Sequence, residues 1–114
     1  MTLKKVSARF YLASTGGNPV RDWLIDLPTD DKRQIGHDIG AVEYGWPVGM
    51  PLCRNLGEGL WEVRSSLPSR RIARVVFCLV RSELVLLHGF IKKTQKTPPD
   101  DLALARNRQK EIER

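Results

Sequence analysis

The 114-residue sequence predicts an α+β fold in a single domain: two N-terminal helices packed on an antiparallel sheet of four or five strands, plus a C-terminal helix. Three observations carry this expectation. Over residues 18–45 the apolar side chains recur at spacings of three and four, the pattern of helices with one buried face. From Leu52 the period changes to two and the connecting turns become short, which describes an antiparallel meander. At Thr97-Pro98-Pro99 the chain returns to a helical start.

In order, residues 2–12 read as a first strand around Val6, Phe10 and Tyr11, closed by the loop Ser14-Thr15-Gly16-Gly17. Asn18-Pro19 starts a helix, because an Asn side chain suits the unpaired amides and proline is preorganised at the first helical position. Val20, Trp23, Leu24 and Leu27 share its buried face, and Pro28 ends it. Thr29 is expected to cap a second helix with Asp30 and Asp31 in its first turn, where the helix dipole favours acids. Ile35, Ile39 and Val42 mark its buried stripe. Gly36 and Gly40 each cost that helix about 1 kcal/mol relative to Ala, and their spacing reads as a place for another backbone to approach. His37 lies off the stripe and reads as a surface residue. Gly45 and Trp46-Pro47 supply a stop and a turn.

The meander strands are expected at Leu52–Leu56, Leu60–Ser65, Arg71–Val80 and Leu84–Ile91. Gly57-Glu58-Gly59, residues 66–70 and Arg81-Ser82 turn them. Thr97 then reads as the cap of the last helix, with Asp100 in capping-box register. Leu102, Ala105 and Ile112 make only a weak apolar stripe, which predicts loose docking.

Composition narrows the classes. The chain is 41% hydrophobic and 28% charged, ordinary for a globular protein and unlike a disordered or collagen-like one. No run approaches the ~18 apolar residues of a membrane span, and the N-terminal residues lack a signal-peptide core. A cytoplasmic location with no membrane partner is expected. Cys53 and Cys78 are too few for a disulfide scaffold and lack metal-ligand spacing, so both read as small buried hydrophobes. No metal or cofactor is implied.

The net charge of +6 is localised. Residues 1–53 and 97–114 are each balanced. The whole excess lies in residues 54–96, where nine basic residues face only Glu58, Glu62 and Glu83. A one-sided excess of this kind suits a polyanionic partner. It is densest in Val85–Pro98, where an apolar strand gives way to Lys92, Lys93 and Lys96 with His88 at the junction.

Alternation along the strands proposes which side chains meet. Trp61 and Val63 face the core, and so do Ala73, Val75, Phe77 and Leu79, together with Val85, Leu87 and Ile91. Glu62, Arg64, Arg74, His88 and Phe90 then share the opposite face, with Leu86, and the lysines stand at its rim. Arginines grip phosphate and stabilise charge growing on it. An exposed aromatic stacks on an unpaired base, His88 brings an imidazole, the side-chain type suited to proton transfer, and Glu62 accepts a proton or orients Arg64. RNA carries its own nucleophile, the 2′-OH, so such a set suits its cleavage. The same residues also fit plainer roles. Glu62 and Arg64 fit a solubilising ion pair, His88 a structural histidine, and Phe90 a core position if the strand bulges at Gly89.

The run Leu86-Leu-His-Gly-Phe-Ile-Lys-Lys-Thr-Gln-Lys-Thr-Pro98 closely resembles the C-terminal signature of the HigB-like, phage-derived branch of the RelE/ParE toxin superfamily. Asn18-Pro-Val-Arg-Asp-Trp-Leu24, Leu56-Gly-Glu-Gly-Leu-Trp-Glu-Val-Arg64 and Arg74-Val-Val-Phe77 resemble the same family in the same order. The similarity spans about residues 8–110. It implies a RelE-like fold and the toxin of a type II toxin–antitoxin system, a metal-independent endoribonuclease that cleaves mRNA on the ribosome by 2′-OH attack on the adjacent phosphate. It also implies a HigA-like helix-turn-helix antitoxin as partner, with operator DNA reached only through the antitoxin complex. Carried over by position, Arg64, Arg74, His88 and Lys93 are the expected catalytic residues. Arg71, Phe90, Lys92 and Lys96 are the expected RNA contacts, with Glu62 orienting. The loop Leu67-Pro-Ser-Arg-Arg71 departs from the Gly-rich turn common in the family. Relatives on this fold also include ParE-like DNA gyrase inhibitors, and a non-catalytic prophage protein that binds antitoxin and operator is the other alternative.

Overall fold

The backbone divides its apolar side chains between two packing layers, one on each side of a central sheet. The computed structural model describes residues 3–93 and 95–112. In chain order the elements are β1 (Ser7–Phe10), α1 (Pro19–Ile25), α2 (Thr29–Gly45), β2 (Cys53–Gly57), β3 (Leu60–Ser66), β4 (Ile72–Val80), β5 (Glu83–Ile91) and α3 (Pro99–Ile112). The sheet is five-stranded in the order β1-β5-β4-β3-β2. β2 to β5 form the expected antiparallel meander, whereas β1 adds parallel to β5, from Ser7 opposite Glu83 to Phe10 opposite Leu86. The sheet is therefore mixed. The connection through α1 and α2 carries the chain from β1 to the far edge, and the meander brings it back.

The core against α1 and α2 contains Val20, Ile35, Ile39, Val42, Val63, Val75, Phe77 and Leu86, with Trp46 edge-on to both Trp61 and Phe77. The weak stripe of the last helix predicts only loose docking on the second layer. Instead α3 packs on it, burying Ala105 against Leu60, Val76, Cys78, Val85 and Leu87. Its apolar stripe is weak, but polar anchors reinforce it. Arg108 donates to the Leu87 carbonyl at 2.7 Å and lies over the Tyr11 ring, and Gln109 donates to the Glu58 carbonyl at 3.0 Å. Tyr11 donates its hydroxyl to Glu111; that bond, then burial, raises the Tyr11 pKa. Loose docking is thus corrected.

A bulge explains the other change. Val76 pairs with His88 and Phe77 with Leu86, so Leu87 is an extra residue in β5. Before it the strand runs in the opposite phase from that expected: Leu86 enters the α1/α2 core, while Val85 and Leu87 face α3. After it, His88 and Phe90 fall where alternation put them.

Local signals met mixed outcomes. Gly57, Glu58 and Gly59 all adopt positive φ, as their tight hairpin demands. Asn18 makes no side-chain cap to α1, and Thr29 is already inside α2, with Pro28 before it. A Cβ built on Gly36 or Gly40 would meet nothing within 4 Å, so no backbone approaches them. His37 is exposed, and Cys53 and Cys78 are buried. Burial pushes the Cys53 thiol up to about 11. No described helix is long and apolar enough to cross a membrane.

Candidate functional site

Strand register aligns the charged residues in two rows across the α3-facing side. One runs Arg54–Glu62–Val76–His88, and the next runs Arg64–Arg74–Phe90. Glu62, Arg64, Arg74, His88 and Phe90 therefore do share a face. They do not share an environment.

Arg74 and Glu62 are interior, 1% and 0% exposed. Arg74 Nη1 lies 3.2 Å from Glu62 Oε1, and Nη2 donates to the Gln95 carbonyl at 3.0 Å. Thr97 donates its hydroxyl to Glu62 Oε2 at 2.9 Å and accepts from Arg74 at 3.5 Å. Thr97 is thus not the cap of α3. It stands one residue outside, where the Pro98 carbonyl accepts the Leu102 N–H, and its hydroxyl is spent on the buried pair. Burial, together with Arg64 and Arg54, lowers the Arg74 pKa, and Glu62 opposes this. A guanidinium stays charged regardless. The pair ties the segment carrying Gln95 and Thr97 across the sheet.

The accessible cations lie at the end of β5. Arg70, Arg71, Ile72, Lys92, Lys93 and Gln95 line a cleft of about 410 Å³. Arg71 and Lys93 also belong to a neighbouring cleft of about 640 Å³, whose other walls are Trp23, Gly89, Phe90, Ile91, Pro98 and Asp101. Lys96 is exposed on the same segment. Burial, then Arg64 and Arg74, lowers the Lys92 pKa, which makes its ammonium a readier proton donor. Arg64 is half-buried opposite Arg74 and lines a separate cleft with Gln34, Asp38, Pro51, Leu52 and Ser66.

Arg71 is aimed by its partners. Its Nη2 donates to Asp31 Oδ2 and its Nε to Ser69 Oγ, at 3.2 and 3.1 Å. Asp31, in the first turn of α2, is 1% exposed, whereas the Arg71 side chain is 42% exposed. Burial raises the Asp31 pKa, but hydrogen bonds from the Ser69 hydroxyl and N–H and from Arg71 outweigh it and hold the carboxyl below its ordinary range. The loop at residues 67–71 thereby fixes one wall of the cleft.

His88 Nε2 lies 2.6 Å from Asp101 Oδ1, and its ring stacks on Phe90 with centroids 5.5 Å apart. Asp101, in the first turn of α3, holds the imidazole orientation. Sequence reasoning missed Asp101, which required knowing that α3 returns to β5. It also missed Trp23 as a cleft wall, having assigned it wholly to the core. An acid in the first turn of the helix following the histidine strand was the available signal for Asp101. Among the described residues no three His, Cys, Asp or Glu side chains group as a metal site.

This arrangement offers cations for a phosphate, an oriented histidine, a lysine of lowered pKa and two aromatic surfaces. Residues 22–110, which include every residue named in the two clefts, match the family described as Phage derived protein Gp49-like (DUF891). No curated protein matches the chain.

Proposed function

The chain belongs to the phage-derived Gp49-like family, a toxin-like family related to RelE and HigB, and from that premise we propose that it is the toxin of a type II toxin–antitoxin system that cleaves mRNA on the ribosome. The observation that supports this reading most is the pair of adjoining clefts sharing Arg71 and Lys93, with the His88–Asp101 pair beside them.

In the proposed reaction the 2′-OH attacks the adjacent phosphorus and the bond to the 5′-oxygen breaks. The products are a 2′,3′-cyclic phosphate and a free 5′-OH. One group takes the 2′-OH proton and another returns a proton to the departing oxygen. His88, braced by Asp101, and Lys92 or Lys93 are the groups proposed for these transfers. Arg71 and the lysines neutralise charge growing on the phosphate. The phosphate-gripping part expected of Arg74 passes to these accessible cations, while Arg74 and Glu62 secure the segment beside them. Arg64 contributes through its field, and Lys96 meets backbone phosphates farther along the strand.

A HigA-like helix-turn-helix antitoxin is the proposed partner, with operator DNA contacted only through that complex. Inducing the chain in cells and mapping transcript 5′ ends tests the activity. Cuts inside translated codons, bearing 5′-OH ends, are expected. Intact transcripts with broken DNA would replace this reading by gyrase poisoning.

A further inference from the structure

The larger cleft has a composition that phosphate binding alone does not require. Trp23, Phe90, Ile91 and Pro98 give it apolar walls, while Arg71, Lys93 and Asp101 supply charge. Its volume, about 640 Å³, lies within the range of small-ligand sites. Trp23 is held firmly. A Cβ at Gly89 would stand 2.4 Å from two atoms of its six-membered ring, so the indole rests directly on the β5 backbone. The underlying strand is also open at its side. β1 pairs with β5 only as far as Leu86, leaving Gly89 and Ile91 beyond the end of the outer strand. The half-buried indole thus forms a rigid aromatic wall a short way from cations that continue into the second cleft.

We infer that Trp23, seated on Gly89, is the stacking wall of a slot for one unpaired base of a single-stranded RNA, whose flanking phosphates lie on Arg71 and Lys93. The slot rests on the nucleic-acid reading above and adds the residue that reads the base rather than the backbone. An aromatic wall without cations would suit any flat apolar ligand, and cations without the wall would suit any polyanion. Their adjacency selects a nucleotide strand. Phe90 borders the same cleft but is already stacked on His88, so Trp23 is the aromatic wall not committed to another ring in the ring stacks described.

The test uses the full chain and a 2′-O-methyl single-stranded RNA, which lacks the attacking hydroxyl, beside an abasic strand of the same length. Trp46 and Trp61 pack edge to face at 5.0 Å and are half-buried like Trp23, so the part of the emission change on binding that Trp23→Leu removes is the part that reports Trp23. The base-bearing strand should quench emission and bind about tenfold more tightly than the abasic one, the scale of one base–aromatic stack. Trp23→Leu should bind both strands at the weaker level, with the emission of the paired Trp46 and Trp61 retained as evidence of folding. Equal affinity of the unaltered chain for both strands, sensitive to Lys93→Ala, would overturn the slot and leave the RNA reading standing. Failure of the unaltered chain to bind either strand at low salt would overturn both. Should Trp23→Leu not fold, the comparison of strands on the unaltered chain still decides.

Discussion

The two faces of the sheet solve the same packing problem with different materials. Toward α1 and α2, Val63, Val75, Phe77 and Leu86 make a continuous apolar layer. Toward α3, an apolar patch around Leu60, Val76 and Ala105 adjoins two rows of charge, and the Glu62–Arg74 pair occupies what would otherwise be core. The difference teaches where cost is tolerated. Burying charges yields little net stability, and a buried Nε of Arg74 and Oε1 of Glu62 lack hydrogen bonds among the described residues. What the pair supplies is position, because the same guanidinium and carboxylate hold the Gln95 carbonyl and Thr97 hydroxyl beside the basic clefts.

The sharpest way to break this contrast is to empty each face in turn. Phe77→Ala on the apolar side should cost about 3–5 kcal/mol through lost burial and a cavity. Arg74→Ala should cost a similar amount, about 3–5 kcal/mol, by stranding the Glu62 carboxylate. Chemical denaturation measures both. The joint change Arg74→Met with Glu62→Leu separates the causes. It should restore stability to near or above that of the unaltered chain while still losing the proposed transcript cleavage, since the segment at 95–97 is no longer tied.

Lys93→Ala tests the open side alone. Stability should stay within about 0.5 kcal/mol, but the slope of log affinity for single-stranded RNA against log salt should fall by about 0.7. An unchanged slope would remove Lys93 from the phosphate contacts.

Acid titration probes the joint between the faces. Because the folded state holds the Asp31 carboxyl below its ordinary value of 3.8, this group adds stability above that value and loses it as pH falls through the lowered one. Asp31→Asn should flatten the acid limb of a stability–pH profile, and a profile identical to that of the unaltered chain would remove Asp31 as the source. The smallest effect belongs to the cover of the apolar face. Gly36→Ala has open space for its methyl group and should stabilise α2 by about 0.4–1 kcal/mol, read as a raised melting temperature.

Much of the fold was readable because it is written locally. Asn18-Pro19, the change from a period of three or four to one of two, and Gly57-Glu58-Gly59 each act within a few residues. The parallel docking of β1 on β5 has no local marker. Nor does the bulge at Leu87, which left Val85, Leu86 and Leu87 assigned to the wrong faces while His88 and Phe90 came out as expected. The charged set at Glu62, Arg64, Arg74 and His88 was readable as one face, since alternation is a short-range rule. That Arg74 is buried was not, because its cover comes from Gln95 and Thr97, more than twenty positions away. Asp101 and Trp23 stayed hidden for the same reason: their meaning lies in what α3 and α1 fold against.

The pairing of the first strand with the last has a consequence for the timing of synthesis. Ser7 waits for Glu83, and the larger cleft draws its walls from Trp23 and from residues as late as Asp101. A growing chain therefore carries no assembled cleft until that late stretch has left the translating ribosome. If this chain cuts the message that a ribosome reads, the ribosome that makes it is spared until Asp101 has emerged to close the cleft.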